Sequence, residues 1–109
     1  MARNTKSKRY TNWRKKVMYR DKYTCQKCGI KHTLNVHHLD GWAFYPKKRY
    51  WVSNGTTLCA RCHYLFHEVF QSSSRVKSTK AGYLTFISTF NVLEDHPINL
   101  LTFSRYIGS

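Results

Sequence analysis

The stretch that decides the fold runs from Cys25 to His67 and is dense in metal-binding side chains. It holds two C-x-x-C pairs, Cys25-Gln26-Lys27-Cys28 and Cys59-Ala60-Arg61-Cys62, which contain all four cysteines of the 109-residue chain. The other ligand-type residues lie between and after these pairs: Val36-His37-His38-Leu39-Asp40, Asn54, His63 and His67. A C-x-x-C turn can aim both sulfurs at one point, so two such turns predict a structural Zn²⁺ bound by four cysteines.

The size and charge of the chain predict a small domain with a polyanionic partner. Nineteen Lys and Arg residues stand against five Asp and Glu, for a formal net charge of +14. Such an excess repels itself in a compact fold, and nucleic acid is the leading candidate partner. A membrane surface is disfavoured, because the chain has neither a long apolar run nor a basic amphipathic helix with a clear lipid face.

The amino terminus carries positive charge with no apolar segment behind it, so we do not expect a secretory signal. The expected location is therefore a reducing cytoplasm, where C-x-x-C pairs favour zinc over disulfides. Disulfides in a secreted protein are the alternative for the same four cysteines.

Three parts are expected along the chain. Residues 1–9 are basic and aperiodic, which predicts a flexible arm that orders on a phosphate backbone. Residues 10–71 hold the predicted metal-binding core, and residues 72–109 indicate a polar linker and a C-terminal helical extension. The predicted fold class is α+β, with a helix before the core and helical structure after it.

The elements of the core follow from polarity patterns. A helix is predicted from Tyr10 to Tyr23, with Thr11 or Asn12 as its N-cap. Its apolar face is expected to carry Trp13, Val17 and Met18. A short strand is predicted from Leu34 to His38. The aromatic and basic loop from Trp42 to Trp51 is expected to end in a second strand.

After that loop, Asn54-Gly55 indicates a turn. A helix from Cys62 to Phe70 would place His63 and His67 on adjacent turns of one face. Further on, a second helical pattern comprises Tyr83, Phe86, Ile87, Phe90 and Leu93. Pro97 should end it, and the apolar stretch from Ile98 to Ile107 either packs back on the domain or forms a dimer contact.

Several basic and aromatic residues are candidates for nucleic-acid contact. The basic candidates are Arg14 and Lys15 on the first helix, Lys47, Lys48 and Arg49 in the aromatic loop, and Arg61 between the second pair of cysteines. For each of them a solvated surface charge is the alternative. We expect Trp51 in the core and leave Trp42 open between core packing and base stacking.

The histidine-rich run resembles a known motif. Val36-His37-His38-Leu39-Asp40, Asn54 and Cys59-x-x-Cys62-His63 together resemble the HNH endonuclease motif in its zinc-knuckle form, found in many phage and mobile-element nucleases, including homing endonucleases. Arg20-Asp21-Lys22-Tyr23-Thr24-Cys25 is similar to the family's approach to its first knuckle. The resemblance implies a ββα-metal core that hydrolyses phosphodiester bonds of double-stranded DNA, leaving 5′-phosphate and 3′-hydroxyl ends. If the gene is carried by a phage, the resemblance also implies that the protein is located in the cytoplasm of the host cell.

The same resemblance implies a role for each site residue. His37 would bind a catalytic divalent ion, and His38 would take the proton from water. His63 would be the second metal ligand and His67 a candidate third, while Asn54 would tie the loop to backbone near the base. Because adjacent strand residues point to opposite faces, His37 and His38 share a site only if the strand bends there.

Two features depart from the commonest pattern of that family. Many members have Asp in the position of His37 and Asn in the position of His63. Among Mg²⁺, Mn²⁺, Ni²⁺, Co²⁺ and Zn²⁺, an all-imidazole set favours the softer ions over Mg²⁺.

Alternatives remain open at this point. The chain could be a zinc-stabilised nucleic-acid-binding module without catalysis, or an RNA-cutting relative of toxin nucleases. Asn54 could be only a turn former before Gly55. A core this small makes few base contacts, so either low specificity or a helper domain, a homodimer or a phage partner protein is expected. Whether one strand or both are cut stays open, because two-strand cleavage usually needs two active sites.

Overall fold

The computed structural model describes residues 7–70, 78–89 and 100–107. Its helices and strands, in chain order, are α1 Lys8–Arg20, β1 Leu34–His38, β2 Gly55–Cys59, α2 Ala60–Tyr64, the π-helical segment Leu65–Phe70 that continues α2, α3 Lys80–Thr89 and α4 Leu100–Ile107. The predicted α+β class is confirmed. None of the described helices is long and apolar enough to cross a bilayer.

Helix α1 begins earlier than the sequence pattern predicts. Its N-cap is Ser7, whose Oγ accepts a hydrogen bond from the Tyr10 backbone N–H at 3.1 Å. Thr11 and Asn12 therefore lie inside the helix, and the prediction of either as N-cap is wrong. The apolar periodicity starts at Tyr10, but a cap lies outside the first helical turn and need not share that periodicity. Residues 1–6 of the predicted arm lie outside the described residues.

The other end of α1 also differs from the prediction. The helix ends at Arg20, and Lys22 and Tyr23 have positive φ angles of 56° and 51°. Left-handed residues cannot continue a right-handed helix, so the helix stops before Tyr23.

The sheet has two antiparallel strands, paired from Leu34 opposite Cys59 to His38 opposite Gly55. The predicted first strand is confirmed, but the second strand follows Asn54 instead of ending the aromatic loop. That loop instead forms a 3₁₀ turn at Pro46–Lys48, and a second 3₁₀ turn follows it at Val52–Asn54. The turn at Val52–Asn54 reverses the chain just before β2 and so shifts the strand beyond the aromatic residues.

Both strands are buried because the sheet lies between α1 and the later helices. On the α1 side the buried core residues are Tyr10, Trp13, Val17, Met18 and Val36. On the other side they include Leu58, Leu65, Phe66, Tyr83 and Phe86. The predicted apolar face of the first helix is thus confirmed. Burying a side chain of the size of Phe66 contributes about 1.5–3 kcal/mol.

Gly55 allows α1 to lie this close to the sheet. A Cβ atom at this position would come within 2.5 Å of Val17 Cγ2 and 2.9 Å of Trp13 Cζ2. Real Cβ atoms do not approach carbon this closely, so the helix packs directly on the backbone of β2.

The C-terminal elements pack against α2 and the π-helical segment. The Phe86 ring lies 5.2 Å from Phe66, and the Phe103 and Tyr106 rings lie 5.5 and 5.9 Å from Tyr64. For the stretch from Ile98 to Ile107 the sequence allowed either packing on the domain or a dimer contact. Its described part packs on the domain. Phe90, Leu93 and Pro97 of the predicted pattern lie outside the described residues.

Candidate active site and zinc site

The four cysteines converge on one point. The Sγ atoms of Cys28 and Cys59 are 3.6 Å apart, and the four sulfurs all lie within 4.8 Å of one another. Zn–S bonds of about 2.3 Å place the sulfurs of a tetrahedral site roughly 3.8 Å apart. The thiols are not joined as disulfides, and their spacing fits a structural zinc.

The backbone of the two C-x-x-C turns also favours negative charge on the sulfurs, which a bound cation requires. Backbone N–H groups of Cys28 and Cys62 point at the Sγ atoms of Cys25 and Cys59, at 3.5 and 3.4 Å. Gly29, directly after the second cysteine, has a positive φ of 87°, which glycine adopts without steric cost. Hydrogen bonds from the Cys59 and Cys62 side chains lower the pKa of Cys25, while the interaction with Cys25 raises the pKa of Cys59 to about 12. The neighbouring thiols thus favour a thiolate at Cys25, and that thiolate opposes ionisation of Cys59; a bound divalent cation relieves this opposition.

Lys27, between the first two cysteines, links the zinc site to α3. Its Nζ donates hydrogen bonds to the carbonyl oxygens of Phe86 and Ile87, at 2.9 and 2.8 Å. A cation at carbonyls near the C-terminal end of a helix stabilises that end. Sequence reasoning missed this role, because Lys27 and α3 are far apart in the chain.

Three imidazoles form a second cluster, on the α2 side of the sheet. The ring centroids are 5.5 Å apart for His37 and His63, 4.9 Å for His37 and His67, and 4.7 Å for His63 and His67. One ring nitrogen of each lies within 4.8 Å of the others. His37 is buried, and the other two are half-buried. Three converging imidazoles are a donor set that suits first-row divalent ions, so these residues fit a metal.

His38 lies on the other face of β1. Its ring stacks on Trp13, with centroids 4.0 Å apart, and its Nε2 lies 2.9 Å from the carbonyl oxygen of Arg49. The side chain is 4% exposed. The strand pairing keeps a regular register through His37 and His38, with no bulge. The structure therefore does not bring His38 into the three-imidazole cluster.

Comparison with known protein families identifies the family of the central segment. Residues 25–68 match the family model described as HNH endonuclease. This segment is an HNH endonuclease domain. The match begins at the first cysteine and ends one residue after His67, so it includes both C-x-x-C pairs and all three clustered histidines. None of the curated proteins and none of the solved structures matches the chain.

Asn54 holds the long loop of the HNH domain onto the end of β1. Its Oδ1 accepts from the Asp40 backbone N–H at 2.8 Å, and its Nδ2 donates to the carbonyls of Asp40 and Lys48 at 3.0 and 3.1 Å. Its own carbonyl accepts from the Leu39 N–H at 2.9 Å. The buried amide thus fixes the backbone directly after His38, which is more than a turn former would do.

Asp40 connects this loop to α3. Its carboxylate accepts hydrogen bonds from Lys48 Nζ at 2.8 Å and from the Lys80 backbone N–H at 2.9 Å. The hydrogen bond from Lys48 holds the pKa of this carboxyl below its usual value. Lys48 therefore has a structural partner, whereas the sequence indicated either a phosphate contact or a solvated surface charge.

The predicted nucleic-acid contacts fall into two groups. Arg14 donates to the Leu34 carbonyl at 3.0 Å, and Arg49 donates to the Trp42 carbonyl at 2.8 Å with its guanidinium 4.4 Å from the Trp42 ring. These two, like Lys48, bind other parts of the protein. The remaining candidates are exposed: Lys15, Lys47 and Arg61.

Trp51 is 52% exposed, so the expectation that it lies in the core is wrong. Its backbone makes the internal contact instead, because its carbonyl accepts from Trp13 Nε1 at 2.8 Å. Trp42 is half-buried and packs edge-on against His38 and Tyr50, at 5.4 and 5.7 Å.

A layer of residues around the imidazole cluster escaped the sequence analysis. Asn35 Nδ2 lies 3.1 Å from His63 Nδ1 and donates to the Tyr106 carbonyl at 3.1 Å. The Tyr106 hydroxyl donates to Glu68 at 2.9 Å, and its ring lies 4.9 Å from His63. Asn35 could have been found, because it lies two residues before His37 on the same strand face. Tyr106 could not, since it comes from a separate helix.

Proposed function

We propose that this protein is a metal-dependent DNA endonuclease that hydrolyses phosphodiester bonds and leaves 5′-phosphate and 3′-hydroxyl ends. The convergence of His37, His63 and His67 inside an HNH domain carries the proposal. The net charge of +14 supports a polyanionic substrate.

His37, His63 and His67 would hold the divalent ion. When bound, that ion supplies positive charge beside the phosphodiester and stabilises the charge that develops on the phosphate and on the leaving 3′ oxygen. The protein's own part is to hold the imidazoles still. The His37 ring packs at 4.8 Å from Phe66 and 5.9 Å from Tyr83, and the Tyr83 hydroxyl is hydrogen-bonded to Thr56 at 2.8 Å.

We assign the general base to His38. When its Nε2–H donates to the Arg49 carbonyl, the lone pair of the neutral ring is on Nδ1. This atom is buried in the DNA-free domain, so water must reach it when DNA binds for it to accept a proton near neutral pH. His38 is the last residue of β1, so a phosphate lying across the strand end would be next to both faces of the strand. Asn54 supports this role by fixing the backbone that follows.

The burial of His38 favours a second candidate function. With 4% exposure and a stacked Trp13, the ring also acts as a core contact between α1 and β1. If that is its whole role, the domain is a zinc-stabilised nucleic-acid-binding module without catalysis.

Nicking of supercoiled plasmid, with Mg²⁺, Mn²⁺, Ni²⁺, Co²⁺ or Zn²⁺ added separately, distinguishes the two functions. The wild type should nick with at least one ion, and the nicks should be sealed by a DNA ligase that needs 5′-phosphate and 3′-hydroxyl ends. His63→Ala and His38→Gln should each reduce nicking by about 10²-fold or more, since proton transfer alone contributes roughly 10²–10⁴-fold. His32→Ala, which removes an exposed histidine outside both clusters, should nick like the wild type.

The outcomes separate the assignments. Absence of nicking with every ion would leave the binding module as the function. Nicking by His38→Gln at the wild-type rate would make His38 a core residue only. One imidazole cluster is found in the described residues, so we expect nicks in single strands unless a second copy or a partner protein joins.

A further inference from the structure

A cleft lies on the α1 side of the sheet, away from the imidazole cluster. Its volume is about 290 Å³, and its lining residues are Arg9, Asn12, Trp13, Lys16, Tyr50 and Val52. Trp13 is 2% exposed and stacks on His38, so it forms the floor. Neither His37 nor the other clustered histidines line this cleft, which makes it a separate site.

The cleft is positively charged. Arg9 and Lys16 are both exposed and lie two helical turns apart on one face of α1, with Asn12 between them. The three acidic residues of the described ranges interact elsewhere: Asp21 with Arg20, Asp40 with Lys48, and Glu68 with Tyr106. Within the described ranges, no carboxylate lines the cleft to offset the two cations.

An aromatic surface completes the cleft. The Arg9 guanidinium lies 4.1 Å from the centroid of the Tyr50 ring, and Tyr50 is held by an edge-on contact with Trp42. The adjacent Trp51 is half exposed. Tyr50 itself is half-buried. Cations beside an accessible aromatic ring are an arrangement by which proteins bind single-stranded nucleic acid, with phosphate on the cations and a base on the ring.

We propose that this cleft binds one nucleotide unit of a single-stranded nucleic-acid segment, with its phosphate between Arg9 and Lys16 and its base against Tyr50. The volume suits a small ligand unit, because ligand pockets span roughly 300–1,000 Å³ and this cleft, at about 290 Å³, lies just below that range. The inference rests on the proposed function, because the single strand would come from the DNA on which the endonuclease acts. The imidazole cluster lies on the opposite face of the sheet, and the Trp13 ring lies between the cleft and His38, so the nucleotide bound here is separate from the scissile phosphate.

The test is fluorescence anisotropy with a short labelled oligothymidine, in buffer without added divalent metal, using zinc-loaded protein. Lys16→Glu should weaken binding by about tenfold or more, and Lys16→Arg should restore it. The matched control is Lys31→Glu, the same charge change at an exposed position outside the cleft, which should weaken binding by no more than roughly threefold. Tyr50→Leu should cost roughly 5- to 100-fold through lost stacking.

A salt series gives a second readout. Loss of one phosphate contact on a single strand should reduce the slope of log affinity against log salt by about 0.7 for Lys16→Glu relative to Lys31→Glu. Equal affinities and equal slopes for the two variants would overturn the proposal. A matched duplex that binds more tightly than oligothymidine, with the same Lys16 dependence and no Tyr50 dependence, would assign the cleft to duplex backbone and also overturn it.

Failure of this inference is distinguishable from failure of the proposed function. The binding assay needs no catalytic ion, whereas the plasmid assay measures nicking alone. Both lysines are exposed, so thermal unfolding should show that the two variants are as stable as the wild type.

Discussion

Replacement of Asn54 by Ala should destabilise the domain more than any exposed amide replacement. The side chain makes three hydrogen bonds to backbone groups of Asp40 and Lys48, and it is 4% exposed. Alanine removes all three and leaves an N–H group and two carbonyls of the loop without these partners.

The size of the effect follows from those contacts. A net contribution of about 1 kcal/mol for each hydrogen bond gives a loss of roughly 3 kcal/mol, and burial of the orphaned groups works in the same direction. For a domain of this length, each 1 kcal/mol lowers Tm by roughly 4–8 °C. We therefore expect a decrease in Tm of about 12–24 °C.

The assay is denaturant unfolding followed by tryptophan fluorescence, at a fixed excess of free zinc so that metal binding contributes equally to both proteins. Asn12→Ala is the control, because Asn12 is an exposed amide on α1 and should change the free energy of unfolding by no more than about 0.5 kcal/mol. A loss for Asn54→Ala equal to that of the control would refute the assignment of Asn54 as the anchor of the loop.

Three further perturbations have defined outcomes. Cys62→Ser should leave the chain unfolded by circular dichroism at neutral pH, because zinc binding is folding free energy; a folded, zinc-free variant would contradict this. Gly55→Ala should lower the free energy of unfolding by about 1–3 kcal/mol or more, because the new Cβ meets Val17 at 2.5 Å; an unchanged denaturation midpoint would be the contrary result. Burial raises the pKa of Tyr83 to about 12, so wild-type stability should fall as pH rises above about 10, where the unfolded chain ionises first. Tyr83→Phe should remove that alkaline decrease, and a decrease that persists would show that another group causes it.

The metal-binding parts of the fold were predictable because their signals are local. Each C-x-x-C pair needs only one turn, and His63 and His67 follow from helical spacing, so neighbouring residues contain the whole pattern.

The second strand could not be located from local pattern alone. Gly55 to Cys59 is buried on both faces and carries no alternation, and Leu58 also fits the helical spacing of α2. The packing of α1 onto Gly55 determines where β2 lies, and that contact joins segments far apart in the chain.

The residues that contact the site residues likewise could not be predicted from the sequence. Tyr106 comes from the last described helix, and Lys27 reaches the carbonyls of α3, so neither contact has a sequence signature. The placement of His38 against Trp13 was open because the sequence could not say whether the end of β1 bends.

The central claim is that three imidazoles form a metal site distinct from the four-cysteine zinc site. The most direct measurement is Co²⁺ titration of zinc-loaded protein, followed by calorimetry and visible absorption. We predict one Co²⁺ bound per chain in the wild type, with ligand-field bands of nitrogen coordination, and none in His63→Ala. Equal Co²⁺ binding by His63→Ala, or no Co²⁺ binding by the zinc-loaded wild type, would contradict the account.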